Sequence, residues 1–275
     1  MMTTTTDDSK LIIVSLEGCH GCGKTALCAE FEAQGYSVLD EAFMDMPSYA
    51  LHPQSLLMET AWVCSWFERV LRLASRVRKE KEPANRQQVY IADRSPFSAV
   101  LYSSKGHLLE PVIREQMREV EQQSNVQFYT VHVAVAPELL WSRIVRRLER
   151  EPERIRFNEH KRAWMDETLA FYNAFQWDLT VANDERSVTT IAASISALLV
   201  AQDATFRAVY ERTKSLSCTS SVASTDSDLE SAEEEDDDDN DDDHHRALAK
   251  APAPAPPSPT SLRSIIAFNN CDLDF

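Results

Sequence analysis

The stretch EGCHGCGKTALC, Glu17–Cys28, carries two overlapping patterns. Gly18, Gly23, Lys24 and Thr25 follow the spacing G-x-x-x-x-G-K-T of a phosphate-cradling loop. Cys19 and Cys22 follow the spacing C-x-x-C, around His20 and Gly21, of a thiol or metal site. The flanks weigh the two. Upstream, KLIIVSLEG (Lys10–Gly18) is a short, β-branched apolar run, which predicts a buried parallel strand. Downstream, KTALCAEFEAQG (Lys24–Gly35) has helical spacing and a glycine where a C-cap belongs. Strand, glycine loop, helix is the context a phosphate loop requires. A structural zinc needs four ligands, and no second Cys/His pair stands at finger spacing. A redox pair also sits before a helix, so the thiol reading stays as the alternative.

In the phosphate reading, the backbone of Gly18, Cys19, His20, Gly21, Cys22 and Gly23 wraps the phosphates of the ligand. Lys24 reaches the terminal phosphates and Thr25 holds Mg²⁺.

Working outward, strand and helix patterns alternate. YSVLDEAF reads as a second strand with Asp40 and Glu41 at its end. A long helix follows Pro53, and VYIADRS reads as a third strand ending in Asp93 and Arg94. Helical stretches are expected near Pro96–Ser104 and Leu108–Gln123, then a strand at FYTVHVAV, Phe128–Val135. Pro137 stands at a helix N1 position before ELLWSRIVRRLER, and another helix is expected from about Asn158 to Gln176. DLTVAN is a fifth strand, and a single closing helix runs to about Thr213. The alternation predicts an α/β fold, with a five-stranded parallel sheet covered by helices on both faces. Ligands of such sheets bind beyond the C-terminal strand ends, where the charged clusters fall.

The chain divides into a flexible N-terminus (1–9), one domain (10–212) and a tail (213–275). The net charge is −16, and from Lys214 onward 15 acidic residues stand against 4 basic ones. That segment is Ser/Thr-rich, then acidic, then Ala/Pro-rich, a composition that predicts disorder. The domain itself is only mildly acidic, which disfavours nucleic acid as a partner. The six cysteines are too few and too scattered for a disulfide framework. No apolar run is long enough to span a bilayer and no signal peptide is visible, so a cytoplasmic protein without a membrane partner is expected. The acidic tail is the candidate segment for a protein partner, and a homodimer is left open.

The strand ends supply further candidates. Asp93 suits a Mg²⁺-bound water or a base, and Arg94 suits the acceptor end of a substrate. Asp40 or Glu41 could deprotonate a hydroxyl or orient an acceptor. Between Trp141 and Arg156 there are six arginines and no lysine. Arginine used alone suggests multidentate binding of phosphate oxygens, although Glu149, Glu151 and Glu153 interleave the series. Trp62, Trp66 and Phe67 form a stripe whose simpler reading is core.

In this order, EGCHGCGKT, the acid after the second strand, DRSPFSAVLY, the arginine-rich segment and DLTVAN resemble the deoxynucleoside kinase and thymidylate kinase group of P-loop kinases. The resemblance spans about residues 10–212. It implies ATP and Mg²⁺ as cofactors and a small-molecule nucleoside or nucleoside monophosphate as acceptor. It implies catalytic roles for Lys24, Glu41, Asp93, Arg94 and Arg147, with Thr25 and Asp93 at the metal. It implies an arginine lid over ATP containing Arg143, Arg147 and Arg150. The sequence departs from the group in two places. Thr25 is followed by Ala26, and no glutamine stands between Leu56 and Arg76 to read a base. Glu59, Thr60 and Arg69 are the candidates to replace it. Two other classes remain: a P-loop NTPase switch hydrolysing ATP or GTP for a protein partner, and a decayed, non-enzymatic kinase domain.

Overall fold

The computed structural model describes residues 10–41, 51, 54–82, 86–103 and 105–222. The expected N-terminal extension before Lys10 and the acidic tail after Val222 lie outside the described residues.

Five strands form one parallel sheet in the order β2-β3-β1-β4-β5: β1 Leu11–Glu17, β2 Ser37–Leu39, β3 Val89–Asp93, β4 Val126–Ala134 and β5 Leu179–Ala182. β1 is central and buried along its whole length, as an apolar run in a two-sided sheet requires. Its register sets Leu16 beside Asp93 of β3 and Glu17 beside His132 of β4. The ends of the three central strands therefore meet at one edge, and side chains far apart in sequence share it.

Helices cover both faces. On one, Leu27 and Phe31 of α1 (Lys24–Ala33) pack with Leu140 and Ile144 of α5 (Pro137–Arg150). Met165 of α6 (Arg162–Ala174), Ile195 of α7 (Val188–Gln202) and Phe206 of α8 (Ala204–Val222) join them. On the other, Trp66, Phe67 and Val70 of α2 (Leu56–Lys79) pack with Leu109 and Ile113 of α4 (Leu109–Ser124) and Phe128 of β4. Phe97, ahead of α3 (Ser98–Tyr102), belongs to the same cluster. The aromatic stripe of α2 is thus core: Trp66 and Phe67 both contact the Phe128 ring. Among the described residues, no helix is long and apolar enough to cross a membrane.

Local signals place most boundaries. α1 closes through Gly35 at φ 93°. There the Gly35 N–H donates to Glu32 O at 2.9 Å and the Tyr36 N–H to Phe31 O at 3.0 Å. Pro137 opens α5 at its first turn.

Three expectations are corrected. β2 is shorter than YSVLDEAF, stopping at Leu39 before Asp40 and Glu41. The helix expected from about Asn158 starts at Arg162, after a 3-10 turn at Pro152–Phe157. The single closing helix is two, broken at Asp203. The Asp203 carboxylate caps α8, accepting from Thr205 N at 2.8 Å and Phe206 N at 2.9 Å. It also takes Lys10 Nζ at 2.6 Å and the Tyr129 hydroxyl at 3.0 Å. α8 then runs to Val222, beyond the expected boundary at 213.

Candidate active site

The loop after β1 turns into α1 through Gly23, which caps the helix at φ 96°. A Cβ there would lie 2.7 Å from Asn183 Nδ2. That same amide donates to Cys22 O at 2.7 Å, so Asn183, just past β5, clamps the loop from outside. Gly18, at φ 150°, has equally little room, because a Cβ would meet Val133 O at 2.9 Å. Glycine is required at both positions by conformation and by space. The result is a tight concave backbone at a helix N-terminus, which favours anions.

Lys24 lies within this concavity. It is only 6% exposed, and its ammonium donates to Gly18 O at 2.7 Å and Cys19 O at 3.3 Å. Thr25 is exposed at the mouth, and its hydroxyl donates to Asp93 Oδ2 at 3.0 Å. The hydroxyl and carboxylate expected at a metal are therefore together, 68 residues apart in sequence.

Cys19 and Cys22 are both buried in the apolar cluster beneath the loop. Burial, with Cys22 beside it, pushes the Cys19 thiol up to about 12. A helix N-terminus by itself lowers a thiol pKa; here desolvation outweighs the dipole, and the thiol stays protonated. Among the described residues, no group of three or more His, Cys, Asp or Glu is placed to hold a metal ion. His20 is buried too, and burial followed by the charges of Lys24, Arg94, Arg147 and Arg154 lowers it to about 3. The imidazole is therefore neutral near pH 7.

Beyond the loop lies a second group. Arg94 follows β3 in the left-handed region, at φ 78°. Its Nε lies 2.8 Å from Glu41 Oε1, an ion pair whose angle falls short of a hydrogen bond. Its guanidinium also approaches the Tyr172 hydroxyl at 3.4 Å and Ser98 Oγ at 3.5 Å, and lies over the Tyr102 ring at 5.2 Å. Glu41 keeps an exposed carboxylate, so the pair reaches solvent on that side. Asp40 turns away and takes Arg69, through its carboxylate at 2.5 Å and its carbonyl at 3.1 Å. The structure thereby separates two acids that are equivalent in sequence.

Two acids have a larger part than their sequence pattern shows. Glu17, the last residue of β1, is fully buried. It accepts from Ser95 N and Ser95 Oγ, each at 2.6 Å, from Ser98 Oγ at 3.1 Å and from the Tyr172 hydroxyl at 3.1 Å. This carboxylate pins the turn that holds Arg94 in its uncommon conformation. Its only signal in the sequence was its position before Gly18. Glu59 lies in the buried stripe of α2, 1% exposed, and its Oε1 has no hydrogen-bond partner. One turn on, Trp62 Nε1 donates to Glu41 O at 3.1 Å, which turns this face of α2 toward the strand edge.

The six arginines do not act as one set. Arg143 donates to Asn183 O at 3.4 Å and Asp184 O at 2.5 Å, fastening α5 to the segment that clamps the loop. Arg147 pairs with Glu151 at 3.2 Å, and Arg154 pairs with Glu151 and with Glu159. Arg147 and Arg154 are near enough to the loop for their charge to act on His20. Arg146 and Arg150 are exposed. The expected lid is partly a structural brace and partly an ion-paired surface beside the loop.

The parallel sheet, the glycine loop on the central strand and the buried lysine at the head of α1 define a P-loop NTPase-like domain. A family model described as the AAA domain matches residues 13–177, and the chain belongs to that family. No curated protein matches the sequence. Among solved structures, the tunicamycin resistance protein of Deinococcus radiodurans is similar over 69% of this chain and 96% of its own, at 11% identity and a TM-score of 0.43.

Proposed function

We propose that this domain transfers a phosphoryl group from Mg·ATP to a small hydroxyl or phosphate acceptor, a (deoxy)nucleoside or a nucleoside monophosphate. One observation carries the reading: the edge formed by the C-terminal strand ends has two differently built sides. Lys24, Thr25 and Asp93 occupy the loop side, and the Arg94–Glu41 pair, 2.8 Å apart, occupies the other. A switch that only hydrolyses nucleotide has no need of the second side.

The loop fits a polyphosphate. Its glycines leave the backbone bare, and its lysine is already held within reach of the concavity. Thr25 and Asp93 would hold Mg²⁺, which supplies charge neutralisation on the phosphate oxygens. Lys24 exchanges its two carbonyl partners for phosphate oxygens and offsets the charge that develops on them. Arg147, freed from Glu151, adds a second cation on the open side of the loop. Glu41 accepts the proton of an acceptor hydroxyl or orients it, and Arg94 holds the acceptor next to it. Positioning and electrostatics are all that such a reaction asks of a protein.

The test is a panel of nucleosides and nucleoside monophosphates incubated with ATP and Mg²⁺ and scored for ADP release. Acceptor-dependent release, abolished in Lys24→Ala, is expected. Release at the same rate without any acceptor would replace this reading by the NTPase switch.

A further inference from the structure

We propose that the cavity on the open face of β4 and β5 is a second binding site, and that it takes an uncharged, amino-substituted heteroaromatic ring. The site goes beyond the phosphoryl-transfer reading and does not depend on it. Among the described residues, its lining includes none of Gly18–Thr25, Glu41, Asp93 or Arg94.

The cavity follows from alternation along β4. Val131 and Val133 belong to the core cluster of α1 and α5, and Phe128 to the cluster of α2 and α4. His132 therefore lies on the α2 and α4 face, and the register sets Thr180 of β5 beside it. Thr180 is exposed, so among the described residues no helix closes over this corner of the sheet. Arg114 of α4 stands on one side of it. The end of α6 and its connection to β5 stand on the other, with Tyr172, Phe175 and Trp177. Together they bound about 620 Å³. A concave space of that size, with aromatic walls and a few polar groups, suits a small molecule.

The lining selects the ligand. Three rings of similar tilt, His132, Tyr172 and Trp177, pack with centroids 5.6–6.1 Å apart and interplanar angles of 17–37°. A flat ring adds to such a group. The His132 side chain is 4% exposed, and among the described residues its partners are these rings, with no hydrogen bond to either nitrogen. A buried polar group is ordinarily hydrogen-bonded, and this one lines a cavity that a ligand can enter. Burial, then the charge of Lys24, lowers its pKa, so near pH 7 the neutral imidazole offers one donor and one acceptor. The charges in the lining do not favour an anion. Arg114 is committed to Glu110, at 3.0 and 2.9 Å, and to the faces of Phe97 and Phe175. Asp178 accepts from Thr130 N and Thr130 Oγ1, each at 2.7 Å, and adds a negative charge. An uncharged ring with an amino donor beside a ring nitrogen complements His132 and Asp178. A phosphorylated ligand is repelled by Asp178.

The experiment is calorimetric titration of the full chain with adenine, cytosine and the 5′-monophosphates of adenosine and cytidine. Each titration is run with a saturating non-hydrolysable ATP analogue and Mg²⁺, and again without them. Thr180→Trp and Asn173→Trp fill the cavity from two exposed positions, and a melting curve checks that each variant folds. At least one of the two bases is expected to bind wild type with the analogue present. Either filled variant is expected to bind it roughly tenfold more weakly, as is wild type its monophosphate. A measurement without any variant reads the same site: the imidazole resonances of His132 are expected to shift as the base is added. Equal binding by wild type and a folded filled variant overturns the proposal, as does no binding by either base or no shift at His132. Displacement of the base by the analogue, or monophosphates that bind as tightly as the bases, overturns it too. None of these readings involves phosphoryl transfer. Base binding at this cavity without acceptor-dependent ADP release defeats the proposed function and leaves the site standing, and the opposite pair of results does the reverse.

Discussion

The two groups at the strand ends, the glycine loop and the Arg94–Glu41 pair, are built on opposite plans. The loop side is contiguous: Gly18 to Thr25 supply its backbone cradle, lysine and hydroxyl within eight residues, and every polar group described above except His20 Nε2 has a partner. The side proposed for the acceptor is assembled from Glu41, after β2, and Arg94, after β3, with Glu59 of α2 near them. It holds an arginine at positive φ and a buried carboxyl whose Oε1 has no hydrogen-bond partner. Backbone in an uncommon region and unsatisfied buried groups persist where the surrounding structure enforces them, and they concentrate at functional sites.

The largest effect expected separates chemistry from folding on the loop side. Lys24→Ala should lower ATP-dependent turnover by roughly 10²-fold or more, since it removes the fixed positive charge aimed at the phosphates. Circular dichroism should show the fold retained. Full turnover would break the assignment of this side.

Next comes the support beneath Arg94. Glu17→Gln should destabilise the domain by about 2–3 kcal/mol in urea denaturation, because four donors lose their shared charged acceptor. Gly23→Ala should cost about 1–3 kcal/mol by the same measurement, through backbone strain and the clash with Asn183. A Glu17→Gln variant as stable as wild type would mean that the turn holds Arg94 without it.

Protonation should pull the two sides in opposite directions. Glu59 has a raised folded pKa, so the folded state holds a proton that the unfolded chain has released. Stability should then fall as pH rises from 4.5 to about 8, and Glu59→Gln should flatten this limb. His20 has a lowered folded pKa, so the unfolded chain binds the extra proton. Stability should fall as pH drops from 6.5 toward about 3, less steeply in His20→Asn. Melting temperature measured across pH on the three proteins checks both signs. Between pH 4.5 and 6.5 the two contributions oppose each other, so the decisive window is pH 6.5 to 8, where a flat wild-type curve would remove the buried acid from the account.

The smallest effect is expected on the exposed arginines. Arg146→Ala should change stability by no more than about 0.5 kcal/mol. Arg143→Ala, which unfastens α5 from the loop clamp, should weaken ATP binding measurably in a direct titration.

The order of strands and helices was legible because each element carries its own periodicity. The phosphate loop was legible because its parts are neighbours in sequence. The clamp of Asn183 on Cys22 was hidden, since 161 residues separate them. So was the break at Asp203, whose partners are Lys10, just before β1, and Tyr129 on β4. The state of the thiols was hidden for a related reason: a helix N-terminus is visible in sequence, whereas the burial that outweighs it is not.

By itself, then, the sequence determined a parallel α/β sheet with a glycine loop and a lysine where phosphates would bind, because local spacing encodes strand, turn and helix. Only the tertiary structure decided which of two adjacent acids faces Arg94, which acid is buried beneath it and which lacks a partner. Those choices depend on register and packing between elements, where a neighbour in space is no neighbour in the chain.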